Sequence, residues 1–213
     1  MKVSVLLPAA GSGERLGRGP KAWLEVGGRT LLDWALAAFA WADERLVALP
    51  AGYSLDRPGV RCLPGGQTRQ ESVYTLLLEA TGDLVLVHDV ARPFLPPAVT
   101  QRVLEAARQH GAAVPVIPVP DTLIQEAGGF YGPPAPREAY RLVQTPQGFW
   151  RELLLEAHRK ARQEGLEATD DAQLVLALGR RVALVEGDRR AFKITYPEDL
   201  PLAEGLARVW EAP

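Results

Sequence analysis

The run Pro8-Ala-Ala-Gly-Ser-Gly-Glu-Arg-Leu-Gly-Arg-Gly-Pro-Lys21 concentrates the groups best suited to chemistry. Small residues at Ala9, Ala10, Gly11 and Gly13 let backbone N–H groups approach an anion with no side chain in the way. Arg15 and Lys21 follow, two cations suited to the negative charge that builds on a phosphoryl group in transit. Two other glycine-loop chemistries fail on spacing. The dinucleotide pattern G-x-G-x-x-G begins at Gly11 but meets Leu16 where its third glycine belongs. The P-loop needs Gly-Lys-Ser/Thr, and here the order is Gly19-Pro20-Lys21-Ala22. Farther along, Asp89 follows the apolar run Leu84–His88. A carboxylate at the carboxyl end of a central strand can hold Mg2+ against a triphosphate, and a helix cap or turn is its other common use; Arg92 beside it favours the first. Lys193 follows Phe192 in a stretch expected to be a strand, where an unpaired lysine is costly. His88 and His110 have no ligand partners at metal spacing and are expected to be structural.

These residues need a scaffold, and hydrophobic periodicity supplies one. Val3–Leu7 is a short branched apolar run feeding the glycine loop, and Leu46–Leu49 and Leu84–His88 have the same character of buried strands. Leu31–Ala42, Thr68–Ala80 and Ala98–His110 have helix spacing between them, with the Gly65–Gly66 loop before the second, and Ala112–Ile117 follows as a strand. Strands alternating with helices imply parallel βαβ units, hence a doubly wound α/β sheet. Pro118–Gln147 breaks this rhythm with many prolines and Gly128–Gly129 near its middle. It predicts a protruding β-arm, with Asp121–Glu126 out and Tyr140–Gln144 back; an ordinary surface loop is the alternative. Beyond it the pattern predicts helices at Phe149–Gln163 and near Asp171–Leu178, strands at Val182–Val185 and Phe192–Ile194, and a closing helix from Pro197. No repeat, low-complexity tract or linker divides residues 1–213, so a single domain is expected.

A chain of 213 residues can bury most of its apolar surface, and 47% hydrophobic content is ordinary for a globular protein. A net charge of −2 argues against bulk nucleic-acid affinity, and no apolar run reaches the length of a membrane helix. The apolar opening runs into the glycine loop without a cleavage pattern and reads as a strand, not a signal peptide. Cys62 is the only cysteine, which excludes an internal disulfide and fits a cytoplasmic location. Abundant arginine and proline with one methionine is a pattern that a heat-adapted source and a GC-rich genome produce alike.

The loop is similar to the signature of the sugar-phosphate nucleotidyltransferases, which share a Rossmann-like fold. More narrowly, the chain resembles the 2-C-methyl-D-erythritol 4-phosphate cytidylyltransferases of the non-mevalonate isoprenoid pathway. The likeness extends through Gly65–Gly66 with Ser72, Val87-His-Asp-Val-Ala-Arg-Pro93, Val119-Pro-Asp-Thr122, Thr145-Pro-Gln147, Thr169-Asp-Asp171 and Lys193-Ile-Thr-Tyr-Pro-Glu-Asp199. It implies transfer of CMP from CTP to a sugar-alcohol phosphate, with Mg2+ on Asp89 and pyrophosphate leaving. It implies that Gly66 and Ser72 contact the cytosine and ribose, with Gln67 standing where the family often has Asp. Arg92, Thr122, Arg137, Thr169 and Lys193 match acceptor-side positions, and Thr122 and Arg137, on the arm, match residues that reach a neighbouring subunit's acceptor. A homodimer built through the arm is therefore expected, with CTP and the small phosphate as ligands, and no nucleic acid or membrane partner. One departure is Arg190–Ala191, where the family usually carries Asp-Asn. A second metal-side carboxylate then comes from elsewhere, Asp188 being the candidate, or is absent. The resemblance leaves a ribitol 5-phosphate cytidylyltransferase open. A non-catalytic CTP-binding regulatory module, which would bind CTP without releasing pyrophosphate, is opposed by the joint presence of Arg15, Lys21, Asp89 and Lys193. Uridylyltransferases usually carry Thr where Glu14 stands, and often a second domain.

Overall fold

The computed structural model describes residues 1–11 and 19–210; Gly13 and Arg15 of the predicted anion loop lie outside the described residues. In chain order the strands are β1 (Val3–Pro8), β2 (Glu25–Val26), β3 (Arg29–Thr30), β4 (Glu44–Leu49), β5 (Val60–Pro64), β6 (Leu84–Val87), β7 (Ala112–Pro118), β8 (Leu123–Ala127), β9 (Phe130–Ala135), β10 (Arg141–Val143), β11 (Gln147–Trp150) and β12 (Ala183–Glu186). The helices are α1 (Leu31–Ala38), α2 (Arg69–Glu79), α3 (Pro97–His110), α4 (Arg151–Glu164), α5 (Asp171–Ala177) and α6 (Asp199–Val209).

An eight-stranded sheet forms the centre. β5, β4, β1 and β6 lie side by side and parallel, and β12 runs parallel to β7. β11 runs antiparallel to both β6 and β7, so those two share one direction. Val116 of β7 pairs with both Val143 and Glu186, and Ala113 pairs with both Gly148 and Ala183. A strand has two edges; β12 therefore takes one, and β10 followed by β11 takes the other. Their registers differ by two residues, which marks a bulge around Thr145–Pro146, a cis peptide.

Side-chain alternation sorts the sheet into two cores. Val3, Val5, Leu7, Val47, Leu84 and Leu86 face α1 and α3. Leu6, Leu46, Val85, Val87 and Phe149 face α2, α4 and α5. The result is a mostly parallel, doubly wound α/β sandwich, as the alternating pattern predicted. A third cluster joins Trp34 and Phe94 to Ile194 and Ala203, and so ties the β2–β3 hairpin and α6 to the body. β1 has β4 on one side and β6 on the other, so the chain reverses its progress across the sheet between β1 and β6. Ligands of such sheets bind outside the carboxyl ends of strands at that switch point.

Four expectations need correction. The hairpin's return strand is β9, not Tyr140–Gln144; Arg141–Val143 instead joins the main sheet against β7, which alone offers it paired backbone groups. Gln147–Trp150 is a strand and the helix expected from Phe149 begins at Arg151, because pairing to β6 and β7 overrides local preference. Among the described residues Phe192–Ile194 is extended but pairs in no sheet; Ile194 N–H bonds Ala91 O in ladder fashion. The first long helix ends at Ala38, and Val60–Pro64, not foreseen, adds an edge strand.

Candidate functional site

Two loops frame the switch point. After β1 the chain leaves through Ala9, whose N–H bonds Ala48 O at 2.9 Å, to Ala10 and Gly11. After β5 the Gly65 N–H bonds Leu49 O at 2.8 Å, which lays this loop against the first. The fit is close enough that a Cβ on Gly65 would lie 2.2 Å from that of Ala10, and one on Gly66 2.3 Å from that of Glu71. Both positions exclude a larger residue for this reason. The Ser72 side chain is buried; its hydroxyl accepts from Gly66 N–H at 3.1 Å and donates to Thr68 O at 3.0 Å, so it fixes the Gly66 loop from within. Gly66 and Gln67 themselves stand exposed above it, and Gln67 N–H is held by Glu71 Oε2 at 2.7 Å.

Opposite, charge gathers at the end of β6. Lys193 donates to Asp89 Oδ2 at 2.8 Å and Arg69 Nε to Asp89 Oδ1 at 2.9 Å. The Ile194 carbonyl next to Lys193 accepts from Lys21 Nζ at 2.6 Å. The extended segment after the 189–191 turn thus brings Lys21, Lys193 and Asp89 together, although Lys193 does not sit in a strand as expected. Burial pushes the Asp89 carboxyl up, but the Arg69 and Lys193 cations beside it hold it well below the usual carboxylate range. Arg92 donates to Ala191 O at 2.8 Å and to Val143 O at 3.3 Å, pinning the 189–191 turn and β10 to the end of β6. Its burial lowers its pKa, with Asp89 opposing.

Beneath Asp89 lie groups that the sequence did not single out. Arg69 Nη1 also donates to Asp171 Oδ2 at 2.8 Å, and Asp171 Oδ1 meets His158 Nε2 at 3.0 Å. Burial disfavours the Arg69 cation, and Asp171 and Asp89 together outweigh it, so its pKa is raised. Thr145, at the bulge, accepts from Asp89 N–H at 3.1 Å. Its hydroxyl lies 3.0 Å from His88 Nδ1, and His88 Nε2 lies 3.2 Å from Arg92 O. A carbonyl only accepts, so Nε2 carries the proton and the Thr145 hydroxyl donates to Nδ1. Burial pushes this imidazole down to about 4, leaving a neutral structural histidine, in line with expectation. The Thr169-Asp-Asp171 block held the missing signal: Asp170 caps α5 through Gln173 N–H, and Asp171 turns inward to Arg69.

Asp89 fits magnesium held jointly with substrate phosphates. It is ionised, and among the described residues each of its oxygens makes one cation contact, which leaves a lone pair for a metal ion. Asp188 caps the 189–191 turn and is gripped by Arg190 through both oxygens, at 3.0 and 2.7 Å. Among the described residues no three His, Cys, Asp or Glu side chains converge. The acceptor-side candidates are dispersed. Thr169 is exposed and accepts from Gln173 Nε2 at 2.7 Å. Thr122 and Arg137 flank the arm, both exposed, and Arg137 bonds Pro120 O at 2.8 Å. Among the described residues neither bonds to the Asp89 cluster.

The chain has known relatives. The family model of 2-C-methyl-D-erythritol 4-phosphate cytidylyltransferase matches residues 3–208. The enzyme of that name from Thermus thermophilus is 65% identical over 213 residues, covering 100% of both chains. That from Deinococcus radiodurans is 53% identical over 208 residues, covering 96% of this chain and 89% of its own. The crystal structure of the Thermus thermophilus enzyme superposes with a TM-score of 0.91 at 62% identity, covering 98% of this chain and 100% of that one. On a match that spans the sheet, both loops and the Asp89 cluster, the chain belongs to the 2-C-methyl-D-erythritol 4-phosphate cytidylyltransferase family.

Proposed function

We propose that the protein transfers CMP from CTP to 2-C-methyl-D-erythritol 4-phosphate, releasing pyrophosphate and forming 4-diphosphocytidyl-2-C-methyl-D-erythritol for isoprenoid biosynthesis. The observation that carries this reading is the meeting of Lys21, Lys193 and Asp89 at the switch point of a chain that matches the family over residues 3–208. The backbone N–H groups at Ala10 and Gly11 would receive the triphosphate, and the Gly66 loop the cytosine side. The acceptor's phosphate oxygen attacks the α-phosphorus in line, and no covalent enzyme intermediate is needed. Lys21 and Lys193 neutralise charge on the phosphoryl group in transit, with Arg15 in the same role from the anion loop. Magnesium on Asp89 would add charge neutralisation to the phosphates. Asp89 also fixes the Lys193 ammonium in position, and Arg92 holds the turn that carries Lys193.

We assign Thr122 and Arg137 to a partner subunit's acceptor pocket, and Arg92, Thr169 and Lys193 to the chain's own. The arm favours a homodimer of the whole chain, since Phe130, Tyr131 and Ile124 stand exposed on a two-stranded ribbon that cannot cover them. Deleting residues 121–137 should give an inactive monomer; a dimer that survives the deletion rejects the arm as interface. No helix among the described residues is long and apolar enough to cross a membrane, and we place the protein in the cytoplasm.

The test is pyrophosphate release from CTP with magnesium, comparing methylerythritol 4-phosphate with ribitol 5-phosphate. Release with the first alone is expected. Lys21→Ala should lower kcat by orders of magnitude with the fold intact, and near-normal turnover in it rejects the mechanism. Release with ribitol 5-phosphate alone moves the acceptor and keeps the chemistry.

A further inference from the structure

Arg69 is the first residue of α2, and its backbone is placed with care. Thr68 caps the helix in a reciprocal box with Glu71: the Thr68 side chain accepts from Glu71 N–H at 3.1 Å, and the Glu71 carboxylate returns to Thr68 N–H. From this fixed origin the guanidinium spans two carboxylates on different elements, Asp89 after β6 and Asp171 at the start of α5. Asp171 is a rigid anchor. It is 1% exposed, it is bonded to the fully buried His158 on α4, and the start of α5 is fastened to β11 through Gln147, which accepts from Ala172 N–H at 3.1 Å and donates to Asp170 at 3.1 Å. The charges therefore alternate along one line: Asp171, Arg69, Asp89, Lys193.

We infer that Arg69 is a positioning residue for the transfer: braced by Asp171, it holds Oδ1 of Asp89 and so keeps Oδ2 turned toward Lys193. This inference deepens the proposed function and depends on it for the meaning of the Lys193 position. A carboxylate gripped at one oxygen by a planar fork cannot rotate freely about its own bond. Without Arg69 the described residues leave the Asp89 side chain one cation contact, the part-exposed Lys193 ammonium, and nothing holds its other oxygen to stop it turning away. In this role Arg69 acts through Asp89.

Arg69→Gln alone would mislead, because it strands the buried Asp171 charge and destabilises the fold. Arg69→Gln/Asp171→Asn removes both charges and should recover most of the unfolding midpoint. Turnover should stay down by about ten- to a hundredfold, as expected when a catalytic group is displaced by about an ångström. CTP KM should move far less than kcat. Arg69→Lys, which keeps the charge but lacks the fork, should fold and recover kcat only in part. A double variant that regains midpoint and kcat together would show that Arg69 serves the fold alone and overturn the inference; so would wild-type kcat in Arg69→Lys. An activity-free arm separates this inference from the substrate reading. In a crystal structure of the double variant Asp89 should turn away from Lys193, and an unmoved Asp89 refutes the positioning role. Failure of the wild type to release pyrophosphate counts against the substrate reading, while the crystal structure still decides on Arg69.

Discussion

Gly65→Ala should disable the site without touching a charged group. A methyl at Gly65 falls 2.2 Å from Ala10 Cβ, 3.2 Å from Leu49 O and 3.3 Å from Ser72 Oγ. Carbon atoms pack at about 3.5–4.0 Å, so the two loops must part by roughly 1.5 Å between them. Overpacking of this kind costs about 1–3 kcal/mol. The Gly65 loop cannot yield freely, because its N–H is bonded to Leu49 O, and losing that bond adds about 1 kcal/mol. A total loss of about 2–4 kcal/mol in urea unfolding follows, with CTP affinity down on the order of tenfold to a hundredfold as the anion loop is pushed out of place. Ala10→Gly removes the worst contact. Alone it should destabilise by roughly 0.5–1 kcal/mol through added backbone freedom, yet in the Gly65→Ala background it should restore stability. The Leu49 and Ser72 contacts remain, so the rescue is partial. Additive effects of the two substitutions, within about 0.5 kcal/mol, would refute the close approach of the loops.

Thr145→Val should strand the Asp89 N–H and His88 Nδ1 together, at about 1–3 kcal/mol each, and equilibrium unfolding should register the sum along with a fall in kcat. Burial pushes the Asp171 carboxyl up, but the Arg69 cation and the His158 bond together outweigh it and hold the carboxyl below its unfolded value. Its contribution to stability is therefore present above the unfolded carboxylate value of about 3.9 and is lost as pH falls through the folded one. Asp171→Asn should show a shallower acid limb than wild type in urea unfolding followed from neutral pH downward, and an identical limb counts against the buried ion pair. Phe149→Ala, at a fully buried position between β6 and α4, should lower stability by about 3–5 kcal/mol through its midpoint and leave the denaturant slope unchanged.

What the sequence disclosed follows from how local each signal is. Val3–Leu7 and Leu84–His88 announce themselves because strands buried on both faces are continuously apolar. β5 gave no such sign: Val60–Pro64 mixes exposed and half-buried positions and owes its conformation to β4 alone. β11 was hidden for a related reason. Gln147–Trp150 runs directly into a strong helical pattern, and only its two neighbours in the sheet reveal where the strand ends and α4 begins. Within the site, Lys21, Asp89 and Lys193 were visible as residue types, and Asp89 by its place at a strand end. Arg69 was not, since its two carboxylate partners lie 20 and 102 residues away and a basic residue at a helix start looks like any solvated charge. Ser72 was found, but its hydroxyl faces the Gly66 loop from inside, which no spacing could have told.

The tie between Lys21 and the Ile194 carbonyl spans 173 residues of sequence, and that between Asp89 and Lys193 spans 104. Contacts so distant along the chain bring loop-closure entropy that only a nearly completed fold repays. Both sheet faces can be built from residues before Gly187, yet the two lysines come together only when the segment leading into α6 docks against Ala91 and the third core closes. A working centre thus requires the segment after β12 to be docked as well as the sheet to be built. Turnover therefore doubles as a readout that the segment leading into α6 has been seated.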